Sequence, residues 1–402
     1  MKFKKIVSSV LAVAMSVAFT ASFYVPYIEN QSFVSYASEG INVAQHTQDE
    51  IKQYIEAHPF DMKAQPVYTV QPSTTAPYEI GKLDSATEEN ALNALNCMRY
   101  IAGLPEVTLD EEYSRLAQAA AFVNHVNGSL SHYPEQPAGV PDDIYQLGKT
   151  GASSSNLSRG TTRYNLAQCV INGYMYDSDN SNISRVGHRR WCINPSMAKT
   201  GFGTVGNTSG MYSIDRSRQK TESNVCWPAQ NMPTEYFSSS TAWSISLNKT
   251  LFEDYVEVKL VRSSDKQEWN FSTSSADGDF YVDNGYYAEP GCIIFRPSDI
   301  SYNDGDKFDV KITTEDSTIE YSVNFFSLDV KENEQNVVGD IDNSKKIDVF
   351  DVIAMKNGFV TDFSGWSYAK MKTADINGDD MLSISDLVLL QQYLLGQIKN
   401  FG

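Results

Sequence analysis

Cationic side chains are scarce in this chain: 32 Lys and Arg stand against 50 Asp and Glu, a net charge of −18. A surface of that sign repels phosphodiester backbones and anionic headgroups, which excludes nucleic acid and acidic membranes as partners. Cysteine is also sparse. The five residues Cys97, Cys169, Cys192, Cys226 and Cys292 form no Cys-x-x-Cys pair, which argues against a thiolate zinc site. Their odd count leaves one thiol without a partner in the chain, and most are expected to serve as small buried apolar residues. Long apolar runs are missing after residue 23, so no later segment is expected to cross a bilayer. No Ser-His-Asp or Cys-His nucleophile motif is present, and no carboxylates are spaced recognisably for glycoside hydrolysis.

The chain does carry a strong start. Lys2, Lys4 and Lys5 precede an uncharged apolar run from Ile6 to Phe23. That pattern predicts a signal peptide within residues 1–37, cleaved after Ala18-Phe19-Thr20 or Ser35-Tyr36-Ala37, and an exported mature protein. Residues 38–82 then read as a pro-segment or linker. One short helix is expected from Thr47 to about Ala57, with Pro66, Pro72 and Pro77 holding the rest extended.

Helical text follows. Ser85-Ala86-Thr87-Glu88 reads as a capping box opening a helix that stops at Gly103. Asp110 caps a second helix ending at Gly128, and a third covers Leu166 to Met175. From Trp243 the period changes to two, with strands at 243–247, 255–261, 292–295, 308–312 and 319–325. Asp277-Gly278, Asn284-Gly285 and Asp304-Gly305 supply turns, and the set predicts a β-sandwich of immunoglobulin-like size at 241–332. Trp269, Tyr281, Tyr286 and Tyr287 are its candidates for a carbohydrate platform, weighed against ordinary packing.

The C-terminal 338–402 repeats one chemistry at an offset of 35 residues. Asp340, Asp342, Ser344, Asp348 and Asp351 stand at positions 1, 3, 5, 9 and 12 of a calcium loop, and Asp375, Asn377, Asp379, Ser383 and Asp386 stand there again. A hard cation wants six to eight oxygens, and this spacing wraps the chain around one ion. Each loop runs into an apolar helix. The segment resembles a type I dockerin, the small all-α module that fastens proteins to cohesins in cellulosome-like assemblies. That resemblance implies two Ca2+ ions, a cohesin partner, and cohesin contacts at Val349 and Phe350 in the first repeat and Ile384 and Ser385 in the second. The unequal pairs imply two faces that bind differently. Position 6, usually Gly, is Lys345 and then Asp380, so weaker calcium binding is expected in the first loop.

Histidine is rare enough that two deserve pairing. His132 follows Leu130-Ser131, and His188 lies in Gly187-His188-Arg189-Arg190-Trp191. With Leu92-Asn93-Ala94-Leu95-Asn96, Arg99, Gly103-Leu104, Ile193-Asn194-Pro195 and Gly201-Phe202-Gly203, these stretches resemble the CAP (SCP/PR-1-like) superfamily. The resemblance implies a three-layer α-β-α domain over about 83–240, with a cleft holding two histidines and two acids. His132 and His188 match the histidines, and Asp177 matches the second acid. The first acid falls at Ser154-Ser155-Asn156-Leu157, where Ser155 replaces a Glu, so the set is incomplete.

The expectation is a multidomain α+β protein, secreted and docked to a scaffold. Its CAP-like domain would bind a ligand: a peptide, a lipid, a glycan fragment or a metal. The alternative is a metal-assisted hydrolase, a peptidase or polysaccharide-active enzyme, with zinc on His132 and His188 oriented by Asp177.

Overall fold

A computed structural model describes residues 41, 43–160, 165–219, 224–328, 337–342, 344–361, 363, 366, 368–379 and 381–401. The expected signal peptide and Asp380 lie outside the described residues.

The first helix, α1 (Gln48–Ala57), begins at Thr47, whose hydroxyl accepts from Glu50 N while the Glu50 carboxylate accepts from Thr47 N. The segment around it is not a free linker. Val43, Ile51 and Leu83 are buried in the same core as the helices that follow. His46, Tyr100, Tyr54 and His58 stack in that order, with centroids 3.7, 4.0 and 4.2 Å apart. The prolines turn the chain back: Tyr68–Val70 pairs with Lys82–Leu83, and Ser73 bridges to Glu79.

Helix α2 (Ser85–Ile101) is capped by Asp84, which accepts from Thr87 N at 2.8 Å. Ser85 is therefore the first helical residue and the capping box expected there does not form; the charged carboxylate one residue earlier takes the free amide. Helix α3 (Glu111–Asn127) starts at Asp110 and ends on the left-handed Gly128, as its sequence dictates. Helix α4 (Asp142–Ser153) was not expected from the sequence, although Pro141 and the acidic Asp142 and Asp143 mark its start. Gly148 and Gly151 within it are contact points: a Cβ on Gly151 would stand 2.0 Å from Leu116 O of α3.

The sheet of this domain is three-stranded and antiparallel, ordered Ser155–Arg159, Thr208–Tyr212, Phe202–Val205. One face takes α3, so closely that a Cβ on Gly203 would lie 2.2 Å from the Gln118 backbone. Against the other lies α5 (Leu166–Gln168) with its continuation, Cys169–Met175, in wide π turns. There Cys169 Sγ meets Ser209 Oγ at 3.1 Å. The third helix expected from the sequence is thus mostly π-helical, a form often found beside functional sites. A short helix, α6 (Gly187–Cys192), closes this layer.

The β-module begins earlier than its period-two pattern announces. Val225–Trp227 joins the sheet Gly278–Asp283, Cys292–Pro297, Trp243–Ser246, and Asn231–Pro233 pairs parallel to Thr318–Phe326 at the edge of the other sheet. That second sheet is completed by Lys307–Thr313, Glu257–Arg262 and Glu268–Phe271. The boundary expected at 241 is corrected accordingly: two three-residue strands are too short to show a period. With no linker between them, the modules share one continuous core from Met98 and Ile101 through Trp227 to Trp243 and Phe325.

In the C-terminal module α7 (Val349–Val360), α8 (Tyr368–Ala374) and α9 (Ile384–Leu394) enclose Ile341, Val352, Met355, Ile376 and Leu390. All five cysteines are buried and unbridged. Among the described residues, no helix is long and apolar enough to cross a membrane.

Candidate functional sites

His132, Asp177 and His188 line one cleft of about 350 Å³. Asp177 follows the π turns with φ of 38°, a left-handed conformation costly for a residue with a side chain. Its carboxylate is 1% exposed and fully engaged. Oδ1 meets His188 Nδ1 at 2.8 Å, and Oδ2 accepts from His188 N at 2.8 Å and Arg189 N at 3.3 Å. The carboxylate assigns the Nδ1 proton, which leaves Nε2 of His188 for a cleft ligand. Burial works against an imidazolium at His188, yet the hydrogen bond and charge of Asp177 prevail and hold its pKa above the ordinary histidine value. His132 is oriented similarly, its Nδ1 2.8 Å from Ala152 O.

Two arginines that sequence reasoning left without a role hold this geometry. Arg189 is fully buried. It donates to Met175 O at 2.7 Å, Tyr176 O at 2.6 Å and Ser178 Oγ at 3.1 Å on one side, and to Ala242 O at 2.7 Å and Ser244 Oγ at 3.1 Å in the sandwich. Arg190 pairs with Asp283, donates to Gly285 O and Glu289 O, and lies over the Tyr287 ring. Arg296 reaches back to Ser178 O at 3.1 Å. The residues on either side of Asp177, and those just after His188, are therefore anchored to the β-module. The adjacent Arg-Arg pair was the available signal, but nothing local tells a buried clamp from a surface charge.

Zinc does not fit these residues. Two imidazoles remain as ligands, Asp177 is committed to His188 and two amides, Asp179 is engaged by Ser181 and Asn182, and Ser155 supplies no carboxylate. Ser155 Oγ is buried without a hydrogen-bond partner and is not part of the cleft lining. The carbohydrate platform also loses members: Trp269 is buried with Nε1 donating to Ser298 O, and Tyr287 lies against Arg190. Tyr286 remains exposed.

In the C-terminal module the ligand atoms of Asp340, Asp342 and Asp351 lie within 4.8 Å of one another, a donor set of hard oxygens that suits Ca2+. Asp351 Oδ1 accepts from Ile341 N and Asp342 N at 2.7 and 3.1 Å, and Oδ2 from Asp348 N at 2.7 Å. Asp386 repeats this with Ile376 N, Asn377 N and Ser383 N at 2.9, 3.2 and 2.9 Å. Position 9 of each loop doubles as the N-cap of the following helix, Asp348 for α7 and Ser383 for α9. Burial pushes the Asp351 carboxyl up despite those amides. Lys345 stands at φ of 67°, where Gly is usual. Exposed apolar residues also repeat at the 35-residue offset: Val349 with Ile384, Ile353 with Val388, and Val360 with Leu395. Phe350 is exposed where its counterpart is Ser385.

Comparison with known proteins agrees with this division. A family model described as CAP, the cysteine-rich secretory protein family, matches residues 92–226. A model described as the dockerin type I domain matches residues 338–395. The chain thus carries a CAP domain and a type I dockerin domain, with a β-rich region between them. A type I dockerin domain implies a cohesin partner in a cellulosome-type assembly, and dockerin domains in general bind Ca2+. A multidomain esterase from Ruminococcus flavefaciens is 37% identical over 65 residues, 16% of this chain and only 8% of that protein. No solved structure matches the chain.

Proposed function

We propose that this protein is a secreted component that docks to a cohesin and presents its CAP cleft as a ligand-binding site, without turnover. Two Ca2+ ions would be held by Asp340, Asp342, Ser344, Asp348 and Asp351 and by Asp375, Asn377, Asp379, Ser383 and Asp386. Val349 and Phe350, or Ile384 and Ser385, would meet the cohesin. One observation carries the reading of the cleft: the carboxylate bonded to His188, Asp177, is already consumed by that ring and the α6 backbone, and the other acid of the lining, Asp179, accepts from Ser181 and Asn182. No second acid stands at Ser155 to act as a base or ligand.

A second reading rests on the same pair. A histidine whose Nδ1 is held by a buried carboxylate is also the arrangement of a general base. The base would be the neutral ring, so hydrolysis would rise with pH through the elevated pKa of His188. The esterase relative makes ester substrates worth including, although so short a match transfers no activity. The test is turnover of casein, acetylated and feruloylated glycans and plain cell-wall glycans by the calcium-loaded chain, beside His188→Ala. Equal blanks are expected; turnover abolished by His188→Ala would replace the binding reading with a hydrolase.

A further inference from the structure

The cleft wall contains a cation that neither histidine chemistry nor the domain clamp uses. Arg159 ends the strand Ser155–Arg159, is half-buried, and lines the cleft with His132 and His188. Its Nη1 donates to Asn124 O at 3.2 Å, and it makes no ion pair among the described residues. A guanidinium left with open donors in a concave site is the usual receptor for a planar carboxylate, which it grips through two parallel hydrogen bonds.

The rest of the wall restricts the ligand further. Ser131, Ser158, Ser181 and Asn182 supply hydroxyl and amide groups. Asp179 is a second anion in the lining. Burial opposes its ionisation, but hydrogen bonds from Ser181 and Asn182 hold its carboxyl below the usual range. An ionised carboxylate in a cleft accepts from hydroxyls. The apolar lining is limited to Leu130, Leu157 and the Tyr174 ring, too little for an acyl chain, and the volume is at the small end for ligand sites. One guanidinium for a carboxylate, plus several groups for hydroxyls, describes an acidic monosaccharide unit.

We propose that the CAP cleft binds a uronic-acid residue, with Arg159 taking the ligand carboxylate and Asp179 with the cleft serines and Asn182 taking ring hydroxyls. This rests on the reading of the cleft as a binding site. His188 shares the lining, so its ring resonances serve as a report of occupancy.

The test uses the full calcium-loaded chain, followed by calorimetry and by the His188 ring signals. The probes are the methyl glycosides of glucuronic and galacturonic acid, their neutral glucose and galactose counterparts, and a tripeptide with a free or amidated C-terminus. The uronosides are expected to bind at least about tenfold tighter than the neutral sugars. Arg159→Gln should erase that preference, and Arg159→Lys should retain part of it, since charge survives but the fork does not. Unchanged melting of the lysine variant guards against a folding defect. Equal binding of neutral and acidic sugars, or a preference that survives Arg159→Gln, overturns the carboxylate anchor and leaves the binding cleft standing. Arg159-dependent binding of the free-carboxylate peptide, with no response to uronosides, overturns the sugar assignment. If no probe moves the His188 signals, both this proposal and the binding reading fall.

Discussion

The calcium loops and the CAP cleft gather charged side chains by opposite means. Each loop draws its carboxylates from twelve consecutive residues and folds backbone amides onto the last of them, Asp351 or Asp386. In the first, three like charges then crowd together over a small core, and the proposed cation would supply the missing attraction. The cleft draws His132, Asp177 and His188 from three segments and fixes the chain around Asp177 and His188 with arginines bonded to protein carbonyls and hydroxyls. Its geometry comes from packing. A site stabilised by an ion and a site stabilised by a shared core should fail independently, and that difference can be broken experimentally.

Calcium removal should separate them most widely. With excess chelator, α7 and α9 are expected to lose their helical signal and cohesin capture to fall by at least about a thousandfold. The melting of the CAP and β-modules should stay put. Cohesin capture that survives chelation would show that the loops are structured without their ion.

Arg189→Met attacks the other side of the comparison. It leaves Met175 O, Tyr176 O and Ala242 O without their donor in the interior, a loss of about 3–5 kcal/mol when a buried charge network is broken. CAP and sandwich transitions should move down together in calorimetry while the dockerin is unaffected. If the sandwich melts unchanged, the arginine does not join the two modules.

This contrast also explains what could be read before the fold was known. The dockerin was legible because its acidic residues sit at fixed local offsets, and the 35-residue repeat states the pattern twice. Five strands between 243 and 325 were legible for the same local reason, as were the helix near Thr47 and the cap at Asp110, whereas Glu268–Phe271 and Gly278–Asp283 were not. Helix α4 was not, since a glycine that allows helices to touch looks like one that ends a helix. Nor was the role of Arg159, Arg189 or Arg190, whose partners are mostly tens of residues away. His132, Asp177 and His188 were found through a family resemblance; no spacing in the sequence joins them.

Within the cleft, Asp177→Asn tests which partner controls the histidine. It removes the charge that raises His188, so the His188 pKa, followed by its ring signals against pH, should fall. In the native protein the folded pKa exceeds the unfolded value near 6.5. The stabilisation from this pair is therefore fully present below about pH 6.5 and is lost as pH rises through the folded value. The variant should lose that dependence. A His188 titration unaffected by Asp177→Asn would mean that other charges in the cleft set it.

The smallest expected effect lies inside the dockerin, between loops that share one hydrogen-bond plan. Lys345 occupies a left-handed conformation that costs a residue with a Cβ about 1 kcal/mol more than glycine. Its backbone N donates to Asp340 Oδ2 at 2.8 Å, so the strained backbone sits beside the acidic cluster. Lys345→Gly removes the strain together with one positive charge of the loop and should tighten the proposed first calcium site by about fivefold, leaving the second where it was. Two-site calorimetry on the native chain and on the variant resolves this. If the native sites already bind equally, or if the variant shifts both together, the strain at Lys345 is relieved elsewhere in the loop and does not limit the ion.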